Sequence, residues 1–181
     1  MRSDVEKCSI SGLGTDIIAA LWEEGAVCSH QVQGVRMKNR DKQFERIEGI
    51  IGVGDDATSE DALDKFYEYL RGVLRLPCEV TGIEDFDWEE PYVFGARDLK
   101  EYERLRRERP SYEDIFELLD IQKDRISEWM LFPGRDLVAH VRRMSDGKEF
   151  YLGLAELKAV DKRSPNYQPL NDYAVWLVNS E

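Results

Sequence analysis

Residues 137–154 read LVAHVRRMSDGKEFYLGL, and the fold is decided here. LVAHVRR (137–143) and KEFYLGL (148–154) are short runs rich in branched and aromatic side chains, joined through Ser145-Asp146-Gly147-Lys148. Asp-Gly between two such runs is a strong signal for a tight reversal, so the stretch predicts an antiparallel hairpin. His140 falls in mid-strand, where it packs or faces solvent. Beyond the hairpin, 154–160 (LAELKAV) reads as a short turn and a closing strand. The tail 170–178 (LNDYAVWLV) spaces Leu170, Tyr173, Ala174 and Leu177 for a terminal helix, packed through Tyr173 or Trp176.

Upstream, Thr58-Ser59-Glu60-Asp61 offers a hydroxyl cap and first-turn acids. Leu63, Phe66, Tyr67, Leu70 and Leu74 then form one apolar stripe. A helix over about 60–74 follows, ending before Pro77. Leu76, Cys78, Val80 and Ile83 lean toward strand, while 113–121 (EDIFELLDI) fits either strand or helix. Residues 97–109 hold six basic and four acidic side chains, interrupted only by Leu99, Tyr102 and Leu105. That is a solvated surface helix ending at Pro110. Together these elements predict an α+β protein: a small antiparallel SH3-like β-barrel flanked by helices.

Residues 1–54 form an N-terminal appendage of open fold, either a small β-rich unit or an extra layer on the main domain, and 55–181 form the helix-plus-barrel domain. The junction is Gly54-Asp55-Asp56. Within the appendage, 16–24 has helical spacing, 27–37 alternates loosely like a strand that Gly34 weakens, and 44–53 (FERIEGIIGV), with three apolar residues near its end and two glycines, favours strand.

Charge is divided unevenly. The net charge is −12. Residues 1–54 carry seven basic and eight acidic side chains, and 55–181 carry eighteen and twenty-nine. The acidity therefore belongs to the later domain, and such a surface repels nucleic acid and anionic membranes while attracting cations and basic proteins. Cys8, Cys28 and Cys78 are odd in number and widely spaced, which suits a reducing cytoplasm better than a disulfide framework. The charged opening residues predict no signal peptide. No apolar run approaches the roughly 20 residues that span a bilayer.

The acidity is densest in 76–92, LPCEVTGIEDFDWEEPY, where Glu84, Asp85, Asp87, Glu89 and Glu90 place five carboxylates within seven residues. Such crowding is costly unless water, a basic partner or a cation offsets it. In an extended segment Asp85, Asp87 and Glu89 would share one side. Hard divalent cations favour that all-oxygen surrounding, so all five are candidate calcium ligands. The stretch is not an EF-hand: counted from Asp85, position 6 is Glu90 rather than glycine and position 12 is Ala96 rather than glutamate. A calcium site would need further carboxylates, with Asp55, Asp56, Asp161 and Asp172 as candidates. The rival readings are a hydrated acidic loop or an acidic interaction module, with Trp88 and Tyr92 beside the acids, that binds a basic partner. Asp55, Asp56, Glu60, Asp61 and Asp64 form a second acidic group explained by helix capping.

The aromatic-rich helix leading into Leu76-Pro77-Cys78-Glu79-Val80, the ending GKEFYLGLAELKAVD and the terminal LNDYAVWLV occur in an order that resembles the bacterial calcium-binding protein family first known from cyanobacteria. The resemblance covers about 60–93 and 113–178. It implies a small, acidic, calcium-binding and non-enzymatic protein, with no ligand matched residue by residue. Residues 1–54 and the charged insertion at 97–112 have no counterpart in it.

Other chemistries lack their residues. Cys28-Ser29-His30 has no second ligand pair to complete a zinc site. Gly12-Leu13-Gly14-Thr15 lacks the lysine and spacing of a phosphate loop. No Gly-x-Ser-x-Gly elbow is present, and Cys78 reads as an inert thiol in a core strand. Paired carboxylates alone, without a sugar cleft, do not make a glycosidase. The sequence reads as a non-enzyme.

Overall fold

The structure is a computed structural model that describes residues 42–52, 60–95 and 98–179. The chain divides into two units after Phe44, and the second, Glu45–Glu181, carries the sheet and its helices. The expected helix at 16–24, the strand at 27–37, Cys28-Ser29-His30, Gly12–Thr15 and the junction at Gly54-Asp55-Asp56 lie outside the described residues.

Residues 45–51 are helical (α1), which corrects the strand expected over 44–53. Ile47 and Ile51, four apart, are 5% and 6% exposed, so a helical stripe, not an alternation, meets the core. The glycines concealed that period: a side chain at Gly49 would meet nothing, so the residue is a spacer on an outer face.

Helix α2 spans Glu60–Val73, as its stripe predicts, and buries Ala62, Phe66 and Leu70. Strand β1 (Cys78–Gly82) follows a cis Leu76-Pro77 bond. After a one-turn helix α3 (Glu90–Val93) and helix α4 (Leu99–Arg106), strand β2 is Phe116–Gln122. The ambiguity at 113–121 thus resolves to strand, because Phe116 and Leu118 alternate into the core while Glu117 pairs across the outer face. Strands β3 (Val138–Arg143) and β4 (Glu149–Gly153) form the expected hairpin in the register Val138↔Gly153 to Arg142↔Glu149, with Gly147 at φ 75° in its turn. A 3-10 turn, Leu154–Glu156, leads into β5 (Leu157–Ala159), and α5 spans Tyr167–Asn179.

The five strands are antiparallel in the order β4-β3-β2-β1-β5. The sheet is open: β4 and β5 are its edges, and closure into a barrel is not shown. Its inner face, including Val80, Phe116, Leu118, Val141, Leu152 and Leu157, packs with α2 and α5 into one core. Phe66 stacks on Trp176 at 4.6 Å and meets Tyr173 edge-on at 5.5 Å, so both expected aromatics anchor α5.

The charged insertion does form an exposed helix, with the Asp98 side chain capping Lys100 N at 2.9 Å. Its far end is tied down by Arg143, 2% exposed, whose guanidinium donates to the carbonyls of Arg106, Arg107 and Arg109 and to Asp114 and Asp146. His140 stacks on Tyr151 and pairs with Glu149 at 3.0 Å. Among the described residues, no helix is long and apolar enough to cross a membrane.

Candidate functional site

The acidic stretch leaves β1 at Gly82, where the chain passes Tyr112. A Cβ at Gly82 would lie 2.6 Å from Tyr112 Cβ and 2.7 Å from its Cα, so only glycine admits this approach. Two bonds then fix the crossing: Gly82 N donates to Tyr112 O at 3.1 Å, and Thr81 Oγ1 to the same carbonyl at 2.9 Å. Ile83 N donates to Glu156 O at 2.8 Å, which ties the start of the loop to the 3-10 turn.

From Ile83 the backbone bends and turns rather than running extended, so Asp85, Asp87 and Glu89 do not line up on one side. Phe86, at 4% exposure, plugs into the core, and Glu89 N closes the turn on Phe86 O at 2.7 Å. Glu89 itself is fully buried. Its Oε1 accepts from Tyr102 Oη at 2.8 Å and Ser111 Oγ at 2.7 Å, and its Oε2 from Tyr112 N at 2.9 Å and Phe86 N at 3.4 Å. One carboxylate thereby joins the acidic loop, α4 and the approach to β2. Burial, and then the bond to Glu89, raises the Tyr102 phenol well above its ordinary pKa. Trp88 Nε1 donates to Pro110 O at 2.7 Å, and Tyr102 stacks on Tyr92 at 5.4 Å, which completes an aromatic cluster around the loop.

The other four carboxylates face outward: Glu84, Asp87 and Glu90 are exposed and Asp85 is half-buried. Among the described residues, no group of three or more His, Cys, Asp or Glu side chains converges as a metal ion would need. The candidate helpers are committed elsewhere or out of view. Asp172, 1% exposed, holds Arg46 through two bonds of 2.8 and 2.9 Å, and Asp161 accepts from Arg163 N at 2.9 Å in its own turn. Asp55 and Asp56 lie outside the described residues.

Two carboxyls that the sequence reading passed over adjoin the loop. Asp136, 5% exposed, accepts from Tyr173 Oη at 2.6 Å and from Ala155 N, and Tyr173 Oη in turn accepts from Leu137 N at 2.8 Å. Burial pushes the Asp136 carboxyl up to about 7. Glu156 accepts from Leu131 N at 3.1 Å, and burial, joined by the charge of Asp87, likewise pushes it up to about 7. The two meet beside Gly153, where an added Cβ would strike Glu156 Oε2 and come within 2.6 Å of Asp136 Oδ2. A signal for Glu156 existed, since it is the one charge inside the apolar run LGLAELKAV before its lysine. For Asp136 there was none: Arg-Asp after Pro-Gly reads as an ordinary polar loop.

Two solved structures are similar to this chain. The crystal structure of Anabaena CcbP has 19% sequence identity and a TM-score of 0.47, covering 76% of this chain and 89% of that one. A calcium-binding protein in the calcium-binding form has 17% identity and a TM-score of 0.44, covering 77% of this chain and 91% of that one. No family model and no curated protein matches the sequence.

Proposed function

We propose that this chain is a non-enzymatic, acidic calcium-binding protein of the cytoplasm, a buffer or a sensor, whose cation-facing oxygens come from the Glu84–Glu90 loop. The observation that carries the reading is that Asp87 and half-buried Glu156 line one small cavity beside the loop; burial chiefly, and the charge of Asp87 to a lesser degree, raises the Glu156 carboxyl to about 7. A divalent cation placed at this edge of the loop removes the repulsion, and carboxylate oxygens suit calcium. Glu84, Asp85 and Asp87 are the ligands of this reading, with Glu90 following them at the head of α3. Glu89, already filled by four donors, acts by holding the loop in shape. The side chains have to swing together around the ion, so the affinity is modest and the loop stiffens on binding. In the same reading, the strand order is that of an SH3-like barrel left open between its edges.

Calorimetry with calcium and, separately, magnesium at fixed ionic strength tests this. A saturable calcium heat, weaker with magnesium and lost in the Asp85→Asn, Asp87→Asn double variant, is expected. Equal responses to both cations, or a calcium heat that survives the double variant, would overturn it.

A further inference from the structure

We propose that the groove between the acidic loop and α5 is a docking site for a basic protein partner, which inserts a large apolar side chain and sets a neighbouring lysine or arginine against Glu156. The groove is a cavity of about 310 Å³. Its floor is Ala155 and Ala174, and its walls are Ile83, Leu131, Phe132, Val175 and Val178. Leu131 is 46% and Val178 55% exposed, so apolar wall stands open to water on both sides of the cleft. That volume lies at the lower end of the range that takes organic groups, and it accommodates one bulky side chain with its flanking atoms.

The rim decides the occupant. Glu84, Asp85 and Glu156 line the groove, and among the described residues no lysine, arginine or histidine does. Lys158, from β5, directs its ammonium to Ile83 O at 3.2 Å. An apolar floor beneath three carboxylates complements a segment that is apolar and basic together. It repels acidic peptides and anionic lipid. Glu156 is the central group, because its backbone carbonyl holds Ile83 and its side chain holds Leu131 N, one from each wall. A cation bound there finds a carboxyl group already oriented by the protein.

The test stands apart from the calcium reading because it is run in excess chelator. Isotope-labelled full-length protein is titrated with the peptide acetyl-Ala-Leu-Trp-Lys-Arg-Ala-amide, against one control with glutamates for the two basic residues and another with serines for leucine and tryptophan. Saturable shifts at Leu131, Val175 and Val178 are expected, with both controls binding about tenfold more weakly or worse. Glu156→Gln, which keeps an acceptor for Leu131 N, should weaken the basic peptide by about tenfold. Val178→Arg, at an exposed position that should not affect folding, should abolish binding. Equal binding of the glutamate control, shifts that follow protein concentration without peptide (a second copy as occupant), or unchanged affinity in Glu156→Gln would each overturn the proposal. So would an absence of shifts at millimolar peptide.

Discussion

Glu89 receives two hydroxyls and two backbone amides while sitting next to Glu90, which points into water. Nothing in the local composition distinguishes these neighbours; the difference comes from Ser111 and Tyr112, more than twenty residues away, closing over one of them. A buried carboxylate with four donors loses heavily when its acceptor capacity falls, since each unpaired buried donor costs about 1–3 kcal/mol. Glu89→Gln should therefore destabilise the protein by about 2–4 kcal/mol in urea denaturation, while Glu90→Gln shifts it by less than about 0.5 kcal/mol. Similar losses in both variants would mean that Glu89 does not hold the loop. Legibility at this scale was partial. The carboxylate-rich stretch was visible in the sequence, but which oxygens turn inward was not, because burial is set by long-range packing. Asp136 and Arg143 stayed hidden for the same reason: each is a charge amid polar sequence whose partners lie on other elements.

The elements were more readable than the residues. The stripe of α2, the Asp-Gly hairpin and the 3-10 turn before β5 all follow from short-range period and turn chemistry, and they appear where that chemistry places them. The failures are instructive. The apolar cluster and two glycines of 44–53 read as strand, although Ile47 and Ile51 carry the helical spacing of α1. Barrel closure could not be read at all, since it depends on whether β4 and β5 meet, and no local pattern encodes that. Gly82 offers a test of how β1 is held. Its close approach to Tyr112 leaves no room for a methyl group, and the obstacle is Tyr112 Cα and Cβ rather than a flexible tip. Gly82→Ala should cost about 1–3 kcal/mol by overpacking and lower the melting temperature. Amide exchange should quicken at Tyr112 and Ile83 before it does in the β3–β4 hairpin. Uniform quickening across the sheet would show that the crossing is not a local anchor.

At the scale of the whole molecule, acidity and burial act together on stability. Asp136 and Glu156 hold folded-state carboxyl pKa values near 7, above their ordinary values of 3.8 and 4.5. A raised folded pKa means that the native state keeps a proton which the unfolded chain gives up. The stability from these groups is thus complete below about pH 4 and is lost as pH rises through about 7. Asp146 has the opposite sign: Arg143 lowers its carboxyl to about 2, so its contribution is present above the ordinary carboxylate range and disappears as pH falls through about 2. General repulsion among the excess acids adds to the loss at high pH. Melting temperature should accordingly climb as pH falls from 8 to about 5 and drop again below about 3. The slope between 8 and 5 assigns the cause. In Asp136→Asn, which accepts from Tyr173 through its amide oxygen but does not ionise, the climb should flatten by a sizeable fraction, whereas added salt relieves only the surface repulsion and leaves the contribution of the buried carboxyl. A slope that vanishes in salt and is unchanged by the substitution would place the whole effect on the surface, and the carboxyl pair beside Gly153 would then have no part in the protein's response to pH.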